Sequence, residues 1–151
     1  MNRKILVSLL APFIFAIVEF ADAQQAGKVP RIGLLTSAAA PRSAGSTTQN
    51  PRVRAFEEGL RELGWIEGQN LLIEGCYAQG DLKRLPELAN DLVRLRVDVI
   101  VAVLNHAIAA ARQATPSIPI VTMMAGDPVG SWFVVSLARP GGNVTGTTIH
   151  T

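Results

Sequence analysis

The feature that most constrains this chain is a strand, helix and strand pattern between Val97 and Asp127. Residues 97–104 are an almost unbroken apolar run rich in β-branched side chains, 105–114 form an alanine-rich helical pattern, and 118–124 are a second apolar run. Strands that are apolar on both sides are covered on both faces, and parallel strands joined by a helix form a right-handed crossover. The pattern therefore predicts a parallel sheet with helices on both faces.

Further strand and helix patterns flank this unit. Strands are predicted at 31–36, 71–77, 97–104, 118–124 and 143–148, and helices at 51–63, 81–95, 105–114 and 131–138. Strands that alternate with helical segments indicate a doubly wound α/β sheet, here parallel and five-stranded. With the first and third strands adjacent, the predicted order is 2-1-3-4-5, and the break between those two strands is the topological switch point.

The helix boundaries follow from residues that cap helix ends. Asn50, Asp81, Asn105 and Ser131 are each placed to cap a helix, because their side chains accept hydrogen bonds from free backbone N–H groups. Gly64 is expected to end the first helix in the left-handed conformation. The expected apolar stripes are Val53, Phe56, Leu60 and Leu63 in the first helix, and Leu85, Leu88, Ala89, Leu92 and Leu95 in the second.

The composition argues against several functional classes. With 151 residues, of which 48% are hydrophobic and 17% charged, the chain fits one compact α/β domain. The net charge is only +2, and no basic stripe with aromatic partners occurs, so nucleic acid is not an expected partner. The single cysteine, Cys76, and two histidines without metal-binding spacing predict no metal site, and the lack of a GxGxxG motif argues against a dinucleotide cofactor.

The first 23 residues have the pattern of a secretory signal peptide. Arg3 and Lys4 precede an apolar stretch at 5–18, and Ala21 and Ala23 are the small residues that signal peptidase reads. The stretch is shorter than the roughly 20 residues that span a bilayer, so cleavage is favoured over a membrane anchor. The expected division is a signal peptide at 1–23, a linker at 24–30 and a globular lobe at 31–151, exported to the periplasm.

Polar groups follow three of the predicted strands at their carboxyl ends. In open α/β sheets, ligands bind outside these ends, beside the switch point. The candidate ligand-binding residues are therefore Thr36, Ser37, Asn105, His106, Gly126 and Asp127.

Each candidate side chain also has a structural interpretation. Asp127 lies in a Gly-Asp-Pro turn, where it either bonds nearby backbone N–H groups or pairs with a ligand ammonium. Asn105 either caps the third helix or meets a ligand carboxylate at the same helix N-terminus, and the two roles are compatible. Thr36 and Ser37 are strand-end polar residues or ligand donors, and His106 is a surface residue or a further hydrogen-bonding group.

A series of motifs in fixed order runs through the chain. The motifs are 61–65 with 67–70, then 84–89, 97–101, 113–115, 118–121, 126–130 and 137–146, the last reading Leu-Ala-Arg-Pro-Gly-Gly-Asn-Val-Thr-Gly. This series closely resembles the ABC transporter substrate-binding proteins of the tryptophan/tyrosine-transport type. The resemblance covers nearly all of residues 31–148.

The resemblance implies a type I periplasmic-binding-protein-like fold, in which two α/β lobes joined by a hinge close on a small molecule such as an amino acid. This chain looks like the N-terminal lobe alone, so a missing C-terminal lobe or self-association is expected to complete the cleft. The resemblance also implies an ABC permease in the membrane as a partner, and no catalytic activity.

Two positions depart from the family pattern. Leu104, Asn105 and His106 stand after the third strand, where the family usually has small hydroxyl residues or glycine. Trp132 and Phe133 follow Ser131, where a small residue is usual. Both departures lie in loops that are expected to shape the cleft.

Three functions remain open from the sequence. The leading hypothesis is a solute-binding lobe, and the second is a sensory or interaction module derived from the same lobe. The third is a doubly wound α/β enzyme, which needs an activated nucleophile or a phosphate-binding loop, and neither pattern is present.

Overall fold

The structure is a computed structural model that describes residues 28–40, 51–136 and 141–149. The predicted signal peptide, most of the predicted linker, the capping Asn50 and the end of the predicted fourth helix lie outside these residues. Within them, no helix is both long and apolar enough to cross a membrane.

The described residues form a parallel five-stranded sheet. The strands are β1 Arg31–Thr36, β2 Leu72–Tyr77, β3 Val99–Val103, β4 Ile120–Gly126 and β5 Val144–Ile149. The helices are α1 Pro51–Glu62, α2 Leu85–Arg94 and α3 Leu104–Ala114, with a 3-10 turn at Leu82–Arg84. The order is β2-β1-β3-β4-β5 and the strand pairs are parallel, which confirms the predicted doubly wound fold and strand order.

Side chains of the central strands alternate between two core clusters. Leu34 of β1 packs in the cluster that contains Val53 of α1. Leu35, the next residue, packs in the cluster that contains Leu92 of α2 and Ile108 of α3. All five side chains are fully buried, and each such burial stabilises the fold by about 1.5–3 kcal/mol. The apolar runs are therefore covered on both faces, as predicted.

The end of α1 follows the predicted glycine. Gly64 has a φ of +85°. Its N–H donates to the carbonyl of Arg61 at 3.0 Å, and the N–H of Trp65 donates to that of Leu60 at 2.9 Å. These two bonds define a Schellman cap, which satisfies carbonyls that the helix leaves free.

Two residues of the predicted apolar stripes are exposed instead. Leu63 is 78% exposed and Leu95 is 42% exposed. Both lie one residue past the end of a helix, because α1 ends at Glu62 and α2 at Arg94. The stripe predictions were wrong at these two positions, where the chain leaves the helical path before the side chain reaches the core.

The predicted helix from Ser131 does not form within the described residues 131–136. One helical turn begins earlier, where the N–H of Ser131 donates to the carbonyl of Asp127 at 2.9 Å. The turn ends at Trp132, whose φ is +58°, and the N–H of Phe133 reaches back to the carbonyl of Pro128 at 2.9 Å. In a Schellman cap, one bond runs from the residue after the left-handed one back into the last helical turn, and the bond from Phe133 to Pro128 is of this kind. The chain therefore leaves the helical path after a single turn.

Strand β4 contains a β-bulge near its carboxyl end. Thr122 pairs with Gly146 of β5, and Ala125 pairs with Thr148, so two residues of β4 lie opposite one residue of β5. The bulge also changes the alternation of side chains. Met123 packs against the cluster on the α1 side, whereas Ala125, two residues later, is buried in the other cluster.

Candidate ligand-binding site

The switch point of the sheet lies between β1 and β3. The chain passes from β1 to β2 on one side, and from β3 to β4 on the other. Leu35 pairs with Ala102, so Thr36 at the end of β1 lies level with Val103 at the end of β3. The carboxyl ends of both strands therefore open onto the same edge of the sheet, where ligands bind in this architecture.

The two hydroxyl residues after β1 differ in their access to this edge. Thr36 is 1% exposed, and its hydroxyl oxygen accepts a hydrogen bond from the N–H of Ala38 at 3.2 Å. Ser37 is half-buried, and its carbonyl accepts a bond from the N–H of Gly80 at 2.8 Å. The Thr36 hydroxyl thus builds the turn, and Ser37 carries the more accessible hydroxyl.

Asn105 does not cap α3. The capping position is Val103, which makes no side-chain capping bond, and the helix starts at Leu104. The Asn105 side-chain N–H donates to the carbonyl of Gly126 at 2.9 Å, and the N–H of Gly126 donates to Asn105 Oδ1 at 2.9 Å. The cap prediction is therefore wrong, because both groups of the amide are engaged by the end of β4.

We call this pair of hydrogen bonds the Asn105–Gly126 clamp. It joins the first turn of α3 to the last residue of β4 across 21 residues of sequence. A clamp of one donor and one acceptor fixes the orientation of the amide, since exchanging its oxygen and nitrogen would break both bonds.

Asp127 and His106 are the exposed members of the candidate set. Asp127 Oδ1 accepts a hydrogen bond from the N–H of Gly130 at 2.9 Å, which is the local turn bond expected from the Gly-Asp-Pro sequence. The carboxylate remains on the surface beside Gly126. His106 lies in the first turn of α3. Both oxygens of the Asp127 carboxylate lie against Gly130 within the turn, while the residue as a whole is exposed.

The structure thus brings the candidates to one edge of the sheet in two groups. Asn105, Gly126 and Asp127 form one contiguous group, and Thr36 and Ser37 follow the neighbouring strand β1. Sequence reasoning did not include Leu104 in the set. This residue lies at the same edge, is 37% exposed, and has a φ of +68°. The signals for it were its place at the end of the third predicted strand and among the departures from the family pattern.

Cys76 pairs with Leu35 of β1, and its surroundings disfavour a thiolate. The side chain is half-buried in β2, and burial raises the pKa of the thiol, with a further rise from the carboxylates of Asp91 and Glu74. A reactive cysteine needs a lowered pKa and electropositive neighbours. In the described ranges, no group of three or more histidine, cysteine, aspartate or glutamate side chains is arranged to hold a metal ion.

A doubly wound sheet with polar loops at the switch point of its carboxyl edge is the architecture of a ligand-binding α/β lobe. Residues 47–150 match the family described as ABC transporter substrate binding protein, and the chain belongs to this family. The match confirms the resemblance that the ordered motifs indicated.

Individual relatives agree with this assignment. A protein named tyrosine-binding protein from Clostridioides difficile (strain R20291) is 36% identical over 95 residues, which are 63% of this chain and 28% of that protein. Two solved structures are similar in fold. One is the ligand-free, open form of a substrate binding protein with adhesive properties from Clostridium difficile, with a TM-score of 0.70, 28% identity, and coverage of 82% of this chain and 40% of that one.

The other is an ABC domain in complex with L-Trp from Streptococcus pneumoniae, with a TM-score of 0.68 and 26% identity. Here the similarity covers 82% of this chain and 39% of that one. The matched region thus spans 28% to 40% of the length of these relatives.

Proposed function

We propose that this chain is the N-terminal lobe of an extracytoplasmic solute-binding protein that captures an aromatic amino acid for an ABC permease in the membrane. The observation that carries the proposal is the group of polar residues at the switch-point edge, in a chain of the substrate-binding family. The ligand class is supported by two relatives, one named for tyrosine binding and one solved with L-Trp.

The chemistry of the edge suits an amino acid. The exposed carboxylate of Asp127 offers an ion pair to the ligand ammonium, and the first turn of α3 offers free N–H groups to its carboxylate. Ser37 and His106 supply further polar groups at the same edge, whereas the buried hydroxyl of Thr36 holds the turn that follows β1. Gly126 contributes to the edge through the Asn105–Gly126 clamp, because its N–H and its carbonyl are both bound to the Asn105 amide. In this proposal the lobe acts by binding alone.

Affinity of the isolated chain is expected to be weak, because one lobe provides one wall of the cleft. Small-molecule sites typically hide roughly 70–90% of the ligand surface. On an open edge, each hydrogen bond replaces one to water and contributes only about 0.5–1.5 kcal/mol. We expect dissociation constants no tighter than about 1 mM for aromatic amino acids, with binding still detectable as saturable shifts in an NMR titration of the purified chain.

Two results would revise this view. A micromolar dissociation constant would mean that the chain already forms a complete cleft, for example by self-association. An absence of saturable shifts with L-tryptophan, L-tyrosine and L-phenylalanine would overturn the proposed function.

Asp127→Asn is expected to weaken amino-acid binding about two- to fivefold, because an exposed ion pair contributes roughly 0.4–1 kcal/mol. Asparagine keeps the oxygen that accepts the hydrogen bond from Gly130, so the turn and the free energy of unfolding should not change. The control ligand is an N-acetylated amino acid, which lacks the ammonium and should bind both proteins equally. Equal binding of the free amino acid to both proteins would rule out Asp127 as the ammonium partner.

Export with cleavage after Ala23 is proposed from the pattern of residues 1–23. Intact-mass and N-terminal analysis of the exported protein should find Gln24 as the first residue. Recovery of the chain from the membrane fraction with Met1 still present would contradict this.

A further inference from the structure

Leu104 has a backbone conformation that leucine rarely adopts. It is the first residue of α3, and its φ of +68° lies in the left-handed region. Glycine takes this conformation freely and asparagine tolerates it, whereas a Cβ with a branched side chain makes it unfavourable. A leucine here stores strain that glycine would not.

The neighbours of Leu104 on both sides prevent the strain from relaxing. Val103 is buried and pairs with Met123 in the β3–β4 ladder. Asn105 is held by the two hydrogen bonds of the Asn105–Gly126 clamp. Leu104 lies between these two fixed residues, so its backbone angles are imposed by the surrounding structure. Strain of this kind persists where the surroundings determine the conformation, and it concentrates at ligand-contact positions.

The conformation places an apolar side chain where the other candidate groups are polar. Leu104 follows β3 at the switch-point edge and is 37% exposed. On the neighbouring strand β4, Met123 pairs with Val103, and Met124 is the residue that follows. Met124 is also left-handed, with a φ of +59°, and is partly exposed. The edge therefore offers an apolar contact between the hydroxyl residues after β1 and the carboxylate of Asp127.

We propose that Leu104 is a specificity-determining residue, whose side chain contacts the side chain of the ligand and favours aromatic over small amino acids. This inference rests on the proposed function and adds to it the residue that selects the ligand side chain. The polar groups would bind the ammonium and carboxylate that all amino acids share, and Leu104 would discriminate between their side chains.

Two substitutions separate the side chain from the backbone strain. Leu104→Asn keeps a similar size and tolerates the left-handed conformation, but it removes the apolar surface. Leu104→Met keeps an apolar side chain and also the strain. Leu63→Asn is the matched control, since it makes the same substitution at a leucine that is 78% exposed just past the end of α1.

The readout is the ratio of affinities for L-tryptophan and glycine, measured by NMR titration of the purified chain. Leu104→Asn should weaken L-tryptophan binding about tenfold, which corresponds to roughly 1.4 kcal/mol, and leave glycine binding unchanged. Leu104→Met should stay within about twofold of the unsubstituted chain for both ligands, because the apolar contact is kept. Urea denaturation should show Leu104→Asn at least as stable as Leu104→Met, because asparagine relieves the strain.

The possible outcomes distinguish the inference from the function on which it rests. If the unsubstituted chain binds L-tryptophan and Leu104→Asn binds it equally well, Leu104 does not select the ligand and the proposed function stands. If Leu104→Asn weakens tryptophan and glycine binding by the same factor, the residue acts only on the shape of the edge, and the inference is overturned. If the unsubstituted chain binds no aromatic amino acid, the proposed function fails and the inference fails with it.

Discussion

Gly146→Ala is expected to lower the free energy of unfolding by roughly 3–5 kcal/mol. Gly146 pairs with Thr122 beside the bulge in β4 and has a φ of +139°, which side-chain-bearing residues rarely adopt. A Cβ at this position would lie 2.3 Å from the carbonyl oxygen of Thr122 and 2.4 Å from its nitrogen. Both are backbone atoms of a paired strand, so the overlap can be relieved only by opening the β4–β5 ladder.

Gly59→Ala is the control for the glycine replacement itself. Gly59 lies inside α1, and a Cβ there would have open space around it. This variant should gain about 0.5–1 kcal/mol, because alanine favours the helix over the unfolded chain. Urea denaturation followed by circular dichroism measures both effects. If Gly146→Ala were as stable as the unsubstituted chain, the close approach of β5 to Thr122 would be incorrect.

Leu92→Ala is expected to cost about 2–5 kcal/mol, since it leaves a cavity between α2 and the sheet. Leu92 is fully buried, and its two terminal methyl carbons lie 2.9 Å from the place that a Cβ on Gly33 would occupy. The absence of a side chain at Gly33 therefore makes the space that Leu92 fills. Gly33→Ala alone should cost about 1–3 kcal/mol, because Leu92 must move away.

The double variant tests whether these two residues share one space. In the Gly33→Ala and Leu92→Ala combination, the new methyl group at residue 33 occupies part of the cavity left at residue 92. The combined cost should be smaller than the sum of the single costs, by about 0.5–3 kcal/mol. Denaturation of all four proteins completes the cycle, and strictly additive costs would show that α2 does not pack on β1 through this pair.

Much of the fold was predictable because its signals are local in sequence. The apolar runs that form β3 and β4 are rich in side chains that suit strands buried on both faces. Gly64 marked the end of α1, since a glycine after the last apolar position is the common form of helix end. The ordered motifs then identified a family, which the strands and helices could not have done.

The errors have a common cause, which is that one local pattern fits two structures. An asparagine before an alanine-rich helix is the usual sign of a cap, but the partner of Asn105 is Gly126, 21 residues later. Leu63 continues a helical stripe in the sequence although the helix has already ended. The left-handed turn at Trp132 has no glycine to mark it, and an apolar run does not show that β4 contains an extra residue.

The Asn105–Gly126 clamp has a consequence for the thermodynamics of the proposed ligand capture. A loop that orders only when its ligand arrives loses conformational entropy at that moment, and the loss reduces the affinity. The clamp restrains the end of β4 against α3 through contacts within the chain itself, so that ordering is completed when the protein folds. Ligand capture at this edge would then proceed with little rearrangement of the backbone, and the entropy lost on binding would come mainly from the ligand and from the closing of the cleft.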